Sequence, residues 1–322
     1  MTQGRDHDWS GFVRRWFGEA AVAFHADHGR AETLSWAGGR LHQDVYDRPE
    51  PAAPVVVMVH GIQGYGRMLM PVLAGLWRRG CAVVAPDLPG CGLSATADDK
   101  GRRGILDQVA GLEAVLRAAA ARGADRPLVA SGVSLGAPTV FAAALAVPAV
   151  RALAVWNLFS PADPAVLRAA GRFGAATGPL LRAARPLARL APGLSLPAWL
   201  GLALEHLNDT PGFTASMLRD PLITRTSTLG VLQSLQTDLP PRLRWAEWRR
   251  PVLVLQPGAD RMIPPVATER AFAALTAAAA PRRLELLPGL PHFPATPEPH
   301  DAAAGRVVAF LAEAGLLAPA AG

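Results

Sequence analysis

Short unbroken apolar runs alternate along this chain with apolar stripes at helical spacing, and that alternation predicts a layered α/β architecture. Val55-Val56-Val57-Met58-Val59 has no polar position at all, the mark of a strand covered on both faces. Comparable runs at 81–85, 127–131, 152–159, 251–256 and 284–287 predict further buried strands. Between them, residues 68–79 carry a helical pattern, and Ile105, Val109, Leu112 and Leu116 share one helical face. Val307, Val308 and Leu311 mark a final helix. Upstream, Trp9, Phe12, Val13, Trp16, Phe17, Ala20 and Phe24 recur at helical spacing, which predicts one amphipathic helix within residues 1–30. Leu34, Trp36, Leu41 and Val45 flank Gly38-Gly39 and predict a β-hairpin with a two-residue turn there. The expected fold class is α/β, a mostly parallel central sheet with helices on both faces.

From Pro161 to about Arg250 the alternation stops, and Leu, Ala, Pro and Arg dominate without a strand pattern. Residues 161–245 therefore read as a helical insertion, a cap on a core formed by 31–160 and 246–322. Within it Leu180, Ala183, Ala184 and Leu187 fall on one helical face and Arg182, Arg185 and Arg189 opposite, with Pro186 splitting the helix into two pieces. Trp199, Phe213 and Met217 add apolar surface and are expected to line a substrate pocket. The arginine-rich outer face is a candidate for peripheral membrane contact.

Composition narrows the function classes. Half of the 322 residues are hydrophobic, enough for a sizeable core. The net charge of +6 comes from scattered arginines, with Lys100 the only lysine, and lacks the clustered basic and aromatic pattern of a nucleic-acid surface. Cys81 and Cys91 make neither a disulfide framework nor a metal site, so no metal is expected and a reducing cytoplasm fits best. Arg5, Asp6 and Asp8 argue against a signal peptide, and the apolar run at 194–204 is broken by Pro197. Oligomeric state is not legible.

The chemistry centres on Gly132-Val133-Ser134-Leu135-Gly136, a G-x-S-x-G between a predicted strand and a predicted helix. A serine hydroxyl becomes a useful nucleophile when a tight turn exposes it to a histidine base and to backbone N–H donors. Three further positions follow predicted strands, where reactive groups of such sheets collect. They are the His60-Gly61-Ile62-Gln63-Gly64 turn, Asp260 after Pro257-Gly258-Ala259, and His292 in Leu290-Pro291-His292-Phe293. The chain order Ser134, Asp260, His292 is that of the α/β-hydrolase triad. Asp163, in Ser160-Pro161-Ala162-Asp163-Pro164, also follows a strand and is the rival acid, although an Asp before Pro more often opens a turn.

With Asp87-Leu88-Pro89-Gly90-Cys91-Gly92-Leu93-Ser94, Gly258-Ala259-Asp260-Arg261 and Gly289-Leu290-Pro291-His292, these motifs resemble the α/β-hydrolase superfamily over roughly residues 55–311. Asp220-Pro221-Leu222-Ile223 is similar to a cap-to-core segment of monoacylglycerol lipases and their lysophospholipase-like relatives. Val133 stands where those lipases usually carry His, and Gln63-Gly64 where they often carry Gly-Glu. The resemblance implies a cofactor-free serine hydrolase of small-molecule acyl esters, lipid-like or short. Ser134 is then the nucleophile, His292 the base, Asp260 its orienting acid, and the Ile62 and Leu135 amides the oxyanion hole. A serine nucleophile argues against haloalkane dehalogenases and epoxide hydrolases of the same fold. Acyltransferase, thioesterase and perhydrolase readings use the same residues, and a non-catalytic binding protein is the alternative from another class.

Overall fold

The computed structural model describes residues 9–123 and 125–317, so the Arg5, Asp6 and Asp8 argument lies outside the described residues. Helices α1 (Ser10–Phe17) and α2 (Glu19–His28) lead into the hairpin β1 (Arg30–Trp36) and β2 (Gly39–Tyr46). The core continues through β3 (Val55–Val59), α3 (Met70–Arg78), β4 (Ala82–Pro86), α4 (Ile105–Ala120), β5 (Leu128–Val133), α5 (Gly136–Leu145) and β6 (Val150–Trp156). Then come α6 (Pro164–Ala170), α7 (Thr177–Ala183), α8 (Arg185–Leu190), β7 (Ser195–Pro197), α9 (Ala198–Gly201), α10 (Phe213–Met217), β8 (Thr226–Thr228) and α11 (Leu229–Thr237). The chain closes with β9 (Val252–Pro257), α12 (Pro265–Ala274), β10 (Arg282–Leu287) and α13 (Pro297–Glu313).

Eight strands form one sheet in the order β1-β2-β4-β3-β5-β6-β9-β10. β1 and β2 pair antiparallel, β2 joins β4 antiparallel, and every later neighbour is parallel. The unbroken apolar runs follow from burial on both faces. Val56 and Met58 of β3 pack among α1, α3 and α13, while Val55, Val57 and Val59 pack against α4 and α5. Each such side chain contributes about 1.5–3 kcal/mol by leaving water, so a polar substitution on either face of β3 is costly. Among the described residues no helix is long and apolar enough to cross a membrane.

Several local expectations are corrected. The amphipathic stretch at the N-terminus is two helices, because Gly18 at φ 85 ends the first in a conformation that favours glycine. The hairpin turn is Ala37-Gly38, one residue earlier than predicted, since Gly39 pairs with Trp36. Residues 161–245 hold a small antiparallel ladder, β7 with β8, in addition to short helices. Pro186 sits in the first turn of α8, so two pieces do form there. Their inward stripe is Leu181, Ala184 and Ala188, whereas Leu180 and Leu187 are about half exposed. The small alanines leave space beneath the two helices, and Leu180 and Leu187, one position before Leu181 and Ala188, are partly in solvent.

Candidate active site

Ser134 follows β5 directly and has φ 52. A left-handed non-glycine residue costs on the order of 1–3 kcal/mol and persists only where its surroundings dictate it. Here two glycines do so. A Cβ on Gly132 would lie 2.7 Å from the Gly136 carbonyl oxygen, and one on Gly136 would lie 2.4 Å from that of His60. β5, α5 and the end of β3 therefore meet too closely for any side chain, and the chain must turn sharply at the serine. The Ser134 amide donates to Trp156 O at 3.0 Å, tying the turn to β6. Among the described residues the non-glycine positions with left-handed backbone are Gln63, Ser134 and Asn157, all at this corner of the sheet.

His292 lies in the loop after β10, with Nε2 2.9 Å from Ser134 Oγ and Nδ1 2.8 Å from Asp260 Oδ2. Asp260 Oδ1 accepts from the Met262 and Ile263 amides at 2.8 and 2.7 Å. An ionised carboxylate only accepts, so Nδ1 carries the proton and Nε2 presents a lone pair to the serine hydroxyl. Asp163 takes no part: it caps α6 through the Ala165 amide and pairs with Arg270. Ser134, His292 and Asp260 thus make one hydrogen-bonded chain drawn from three loops at the carboxyl ends of β5, β9 and β10.

The 60–64 turn borders the serine on its other side. A Cβ on Gly61 would lie 3.1 Å from Ser134 Cβ and 3.6 Å from Oγ, so glycine keeps the approach open. Neither the Ile62 nor the Leu135 amide has a hydrogen-bond acceptor among the described residues. His60 supports this turn. Its Nδ1 donates to Gly61 O at 2.7 Å and its Nε2 accepts from the Leu88 amide at 3.0 Å, and burial pulls its pKa down, keeping it neutral. Gln63 links the turn to 161–245: its carbonyl accepts from Thr224 N at 3.0 Å and its amide donates to Ser227 Oγ at 2.9 Å. Asp220 accepts from the Tyr65 hydroxyl, and burial raises its pKa despite that bond.

Two cavities open on Ser134. The smaller, about 100 Å³, is walled by His292, Met217, Leu204, Leu218, Trp156 and Asn157 among others. The larger, about 660 Å³, runs beneath α7 and α8 past Leu181, Ala188, Leu202 and Met262, with Arg182 and Arg185 in its wall. No aspartate or glutamate lines either one. Of the three residues expected to line a pocket, only Met217 reaches a cavity beside Ser134. Trp199 is 58% exposed and lines neither. Phe213 is fully buried against Phe12, Trp16 and Phe293, so it serves the seam with α1. Asn157, which donates to Asp260, and Gln256, which accepts from Asn157, carry no distinctive signal in the sequence, being amides just after or within an apolar strand.

A family model described as serine aminopeptidase, S33, matches residues 50–295. The chain belongs to this hydrolase family. The S33 match spans every loop just described, and solved structures share the fold. A monoacylglycerol lipase of Paleococcus ferrophilus is 22% identical at TM-score 0.66, covering 85% of this chain and 99% of that one. A soluble variant of the monoglyceride lipase of Saccharomyces cerevisiae, bound to a substrate analogue, is 15% identical at TM-score 0.72, covering 89% and 96%. A thermostable carboxyl esterase from Bacillus coagulans, in complex with glycerol, is 14% identical at TM-score 0.67, covering 88% and 98%. No curated protein matches the sequence. This S33 member is thus an α/β-hydrolase that resembles the monoacylglycerol lipases, as its motifs implied.

Proposed function

We propose that this S33 hydrolase cleaves carboxylic esters of apolar acyl groups through an acyl-enzyme on Ser134. The observation that carries the reading is the Asp260–His292–Ser134 hydrogen-bonded chain opening into cavities with apolar walls and no carboxylate. His292 Nε2 takes the hydroxyl proton as Ser134 Oγ bonds to the acyl carbon, and the carbonyl oxygen becomes an oxyanion held by the Ile62 and Leu135 amides. Collapse breaks the ester C–O bond, and His292 returns the proton to the departing alcohol. Water, deprotonated by the same histidine, then releases the acid and restores the serine. The acyltransferase, thioesterase and perhydrolase alternatives differ in what enters or leaves, not in these residues.

An aminopeptidase must receive an α-ammonium group, which calls for an acidic partner in a desolvated site. Neither cavity lining contains one, which favours esters over amino-terminal peptides. Residues 161–245 act in this reading as a cap. The larger cavity receives the acyl chain, and the smaller receives the alcohol, because it alone of the two has His292 in its wall and His292 must reach the leaving oxygen. Fluorophosphonate labelling of Ser134, together with a panel of chromogenic esters and aminoacyl anilides, tests the assignment. Labelling with ester turnover is expected, and turnover of anilides alone would replace it.

We also propose peripheral membrane contact through the outer face of the cap. Leu187 and Leu190 are 50% and 84% exposed beside Arg189, and none of the three lines the larger cavity. They form an apolar and basic surface of the kind that rests on anionic lipid. Salt-sensitive sedimentation with anionic but not neutral vesicles is the expected result. Equal sedimentation with both vesicle types, or none, removes the membrane role and leaves the hydrolase reading untouched.

A further inference from the structure

We infer that Asn157 is a positioning residue for the acid, gripping the same Asp260 oxygen that orients His292. The inference rests on the serine hydrolase reading above. Asn157 follows β6 with φ 63, and its own amide donates to Leu255 O at 2.8 Å, which locks the corner onto β9. Asparagine tolerates this left-handed backbone better than most residues. Its Nδ2 donates to Asp260 Oδ2 at 3.0 Å and to Gln256 Oε1 at 3.1 Å. Gln256 is itself held, its Nε2 donating to Pro257 O and Ile263 O at 2.9 and 3.1 Å.

With this contact the Asp260 carboxylate accepts four hydrogen bonds, two at each oxygen: Met262 and Ile263 amides at Oδ1, His292 and Asn157 at Oδ2. A carboxylate has about four lone-pair sites, so this one is saturated and has a single orientation. Without Asn157, Oδ2 would answer to His292 alone and the carboxylate could swing about the Oδ1 contacts. Asn157 is 1% exposed, and its Oδ1 has no protein partner although the residue lines the smaller cavity. A buried side-chain amide beside a cavity is an unfavourable choice for packing alone, which an apolar residue would serve better.

Charge reasoning gives a readout beyond stability. Nδ2 draws negative charge toward itself, so its removal leaves Oδ2 a stronger acceptor, and the protonated form of His292 gains. The acidic limb of the kcat/KM profile should therefore move to higher pH. The other titratable side chains in the smaller cavity wall are His60 and His300, with ring nitrogens bonded to Gly61 O and Leu88 N, and to Pro294 O. Arg261, next to Asp260, turns to Asp209 at the surface, and Arg270 pairs with Asp163. Arg182 and Arg185 line only the larger cavity.

The test compares the wild type with Asn157→Gly, which keeps the left-handed backbone, and with the near-isosteric Asn157→Asp. Chromogenic ester turnover, thermal unfolding and fluorophosphonate labelling are measured across pH. For Asn157→Gly, kcat should fall roughly ten- to hundredfold, the loss expected of one hydrogen bond to a charged group, with KM within about twofold and the acidic limb raised by roughly half a pH unit or more. Asn157→Asp adds a like charge beside Oδ2 and should raise the limb further, with turnover returning only toward higher pH. A folded variant with wild-type kcat and an unmoved limb overturns the inference, as does lower activity that merely tracks lost stability. If Asn157→Gly does not fold, the limb of Asn157→Asp decides alone. Wild type that neither labels nor turns over ester removes the underlying hydrolase reading as well, whereas normal wild-type labelling confines any failure to Asn157.

Discussion

The corner around Ser134 and the segment at 161–245 obey different rules. At the corner, three strained backbones, two glycines with no room for a Cβ and a carboxylate with four hydrogen bonds leave little freedom. In the segment, short helices leave Leu180, Leu187, Leu190 and Trp199 in solvent, and no ion pair holds Arg182, Arg185 or Arg189 among the described residues. Chemistry at a serine needs one geometry, whereas enclosing an apolar chain needs only surface of about the right shape. Substitutions at the corner should therefore change rate steeply, and substitutions in the segment should change preference gently.

The largest effect should come from Ser134→Ala. Loss of the nucleophile is expected to lower kcat by roughly 10⁴-fold or more while thermal unfolding stays near wild type, since the glycines still permit the turn. A folded variant with near-wild-type turnover would break the contrast at its centre. Next is the pair Asp260→Asn and Asp163→Asn. The first should cost roughly 10³- to 10⁴-fold in kcat by presenting the wrong imidazole tautomer. The second removes an α6 cap charge and a half-exposed ion pair with Arg270, worth about 1 kcal/mol of stability, and should leave turnover within about twofold. Steady-state kinetics on both would expose an acid taken from the wrong strand.

That contrast also explains what was legible. The sheet could be read because burial on both faces forces unbroken apolar runs such as Val55 to Val59. The corner could be read because its constraints are local: Gly132, Ser134 and Gly136 lie within five residues, and the acid and histidine follow strands in a fixed order. Contacts between distant stretches could not. Phe213 looks the same in sequence whether it faces a pocket or Phe12 and Trp16 some 200 residues away, and only the fold decides. Gly18 likewise sits inside an otherwise continuous amphipathic stripe, and nothing in the periodicity shows that its φ is positive. Asn157 is hidden for the same reason: what marks it is one atom's contact with Asp260, 103 residues away.

Acid should weaken the fold through His300. This residue is buried among Phe17, Trp156 and Phe293, and burial lowers its pKa to about 4, against a smaller raising effect from the Pro294 carbonyl. Above pH 6.5 neither folded nor unfolded chain binds a proton there, and the residue has no effect on pH dependence. Between 6.5 and 4 the unfolded chain takes up a proton that the folded protein refuses, so stability declines by up to about 1.4 kcal/mol per pH unit. Urea unfolding at pH 7 and 4.5 should show a shallower loss for His300→Phe than for the wild type. Parallel losses would locate the acid sensitivity elsewhere.

The smallest effects should fall in the cap, and they divide by cavity. Ala188→Phe fills the larger cavity beneath α8 and should shift the preferred acyl chain toward shorter esters, by roughly tenfold in relative kcat/KM. Met217→Ala enlarges the smaller cavity beside His292 and should widen tolerance for the alcohol by a few-fold, leaving acyl preference unchanged. Trp199→Ala, far out in solvent at 58% exposure, should alter neither profile. The measurement is a two-way ester panel, acyl length against alcohol size, on all three variants in folded form. If Met217→Ala moved acyl preference and Ala188→Phe moved alcohol preference, the two sides of Ser134 would have to be exchanged. If Trp199→Ala moved either, the cap would close further over the site during turnover than its exposed position implies.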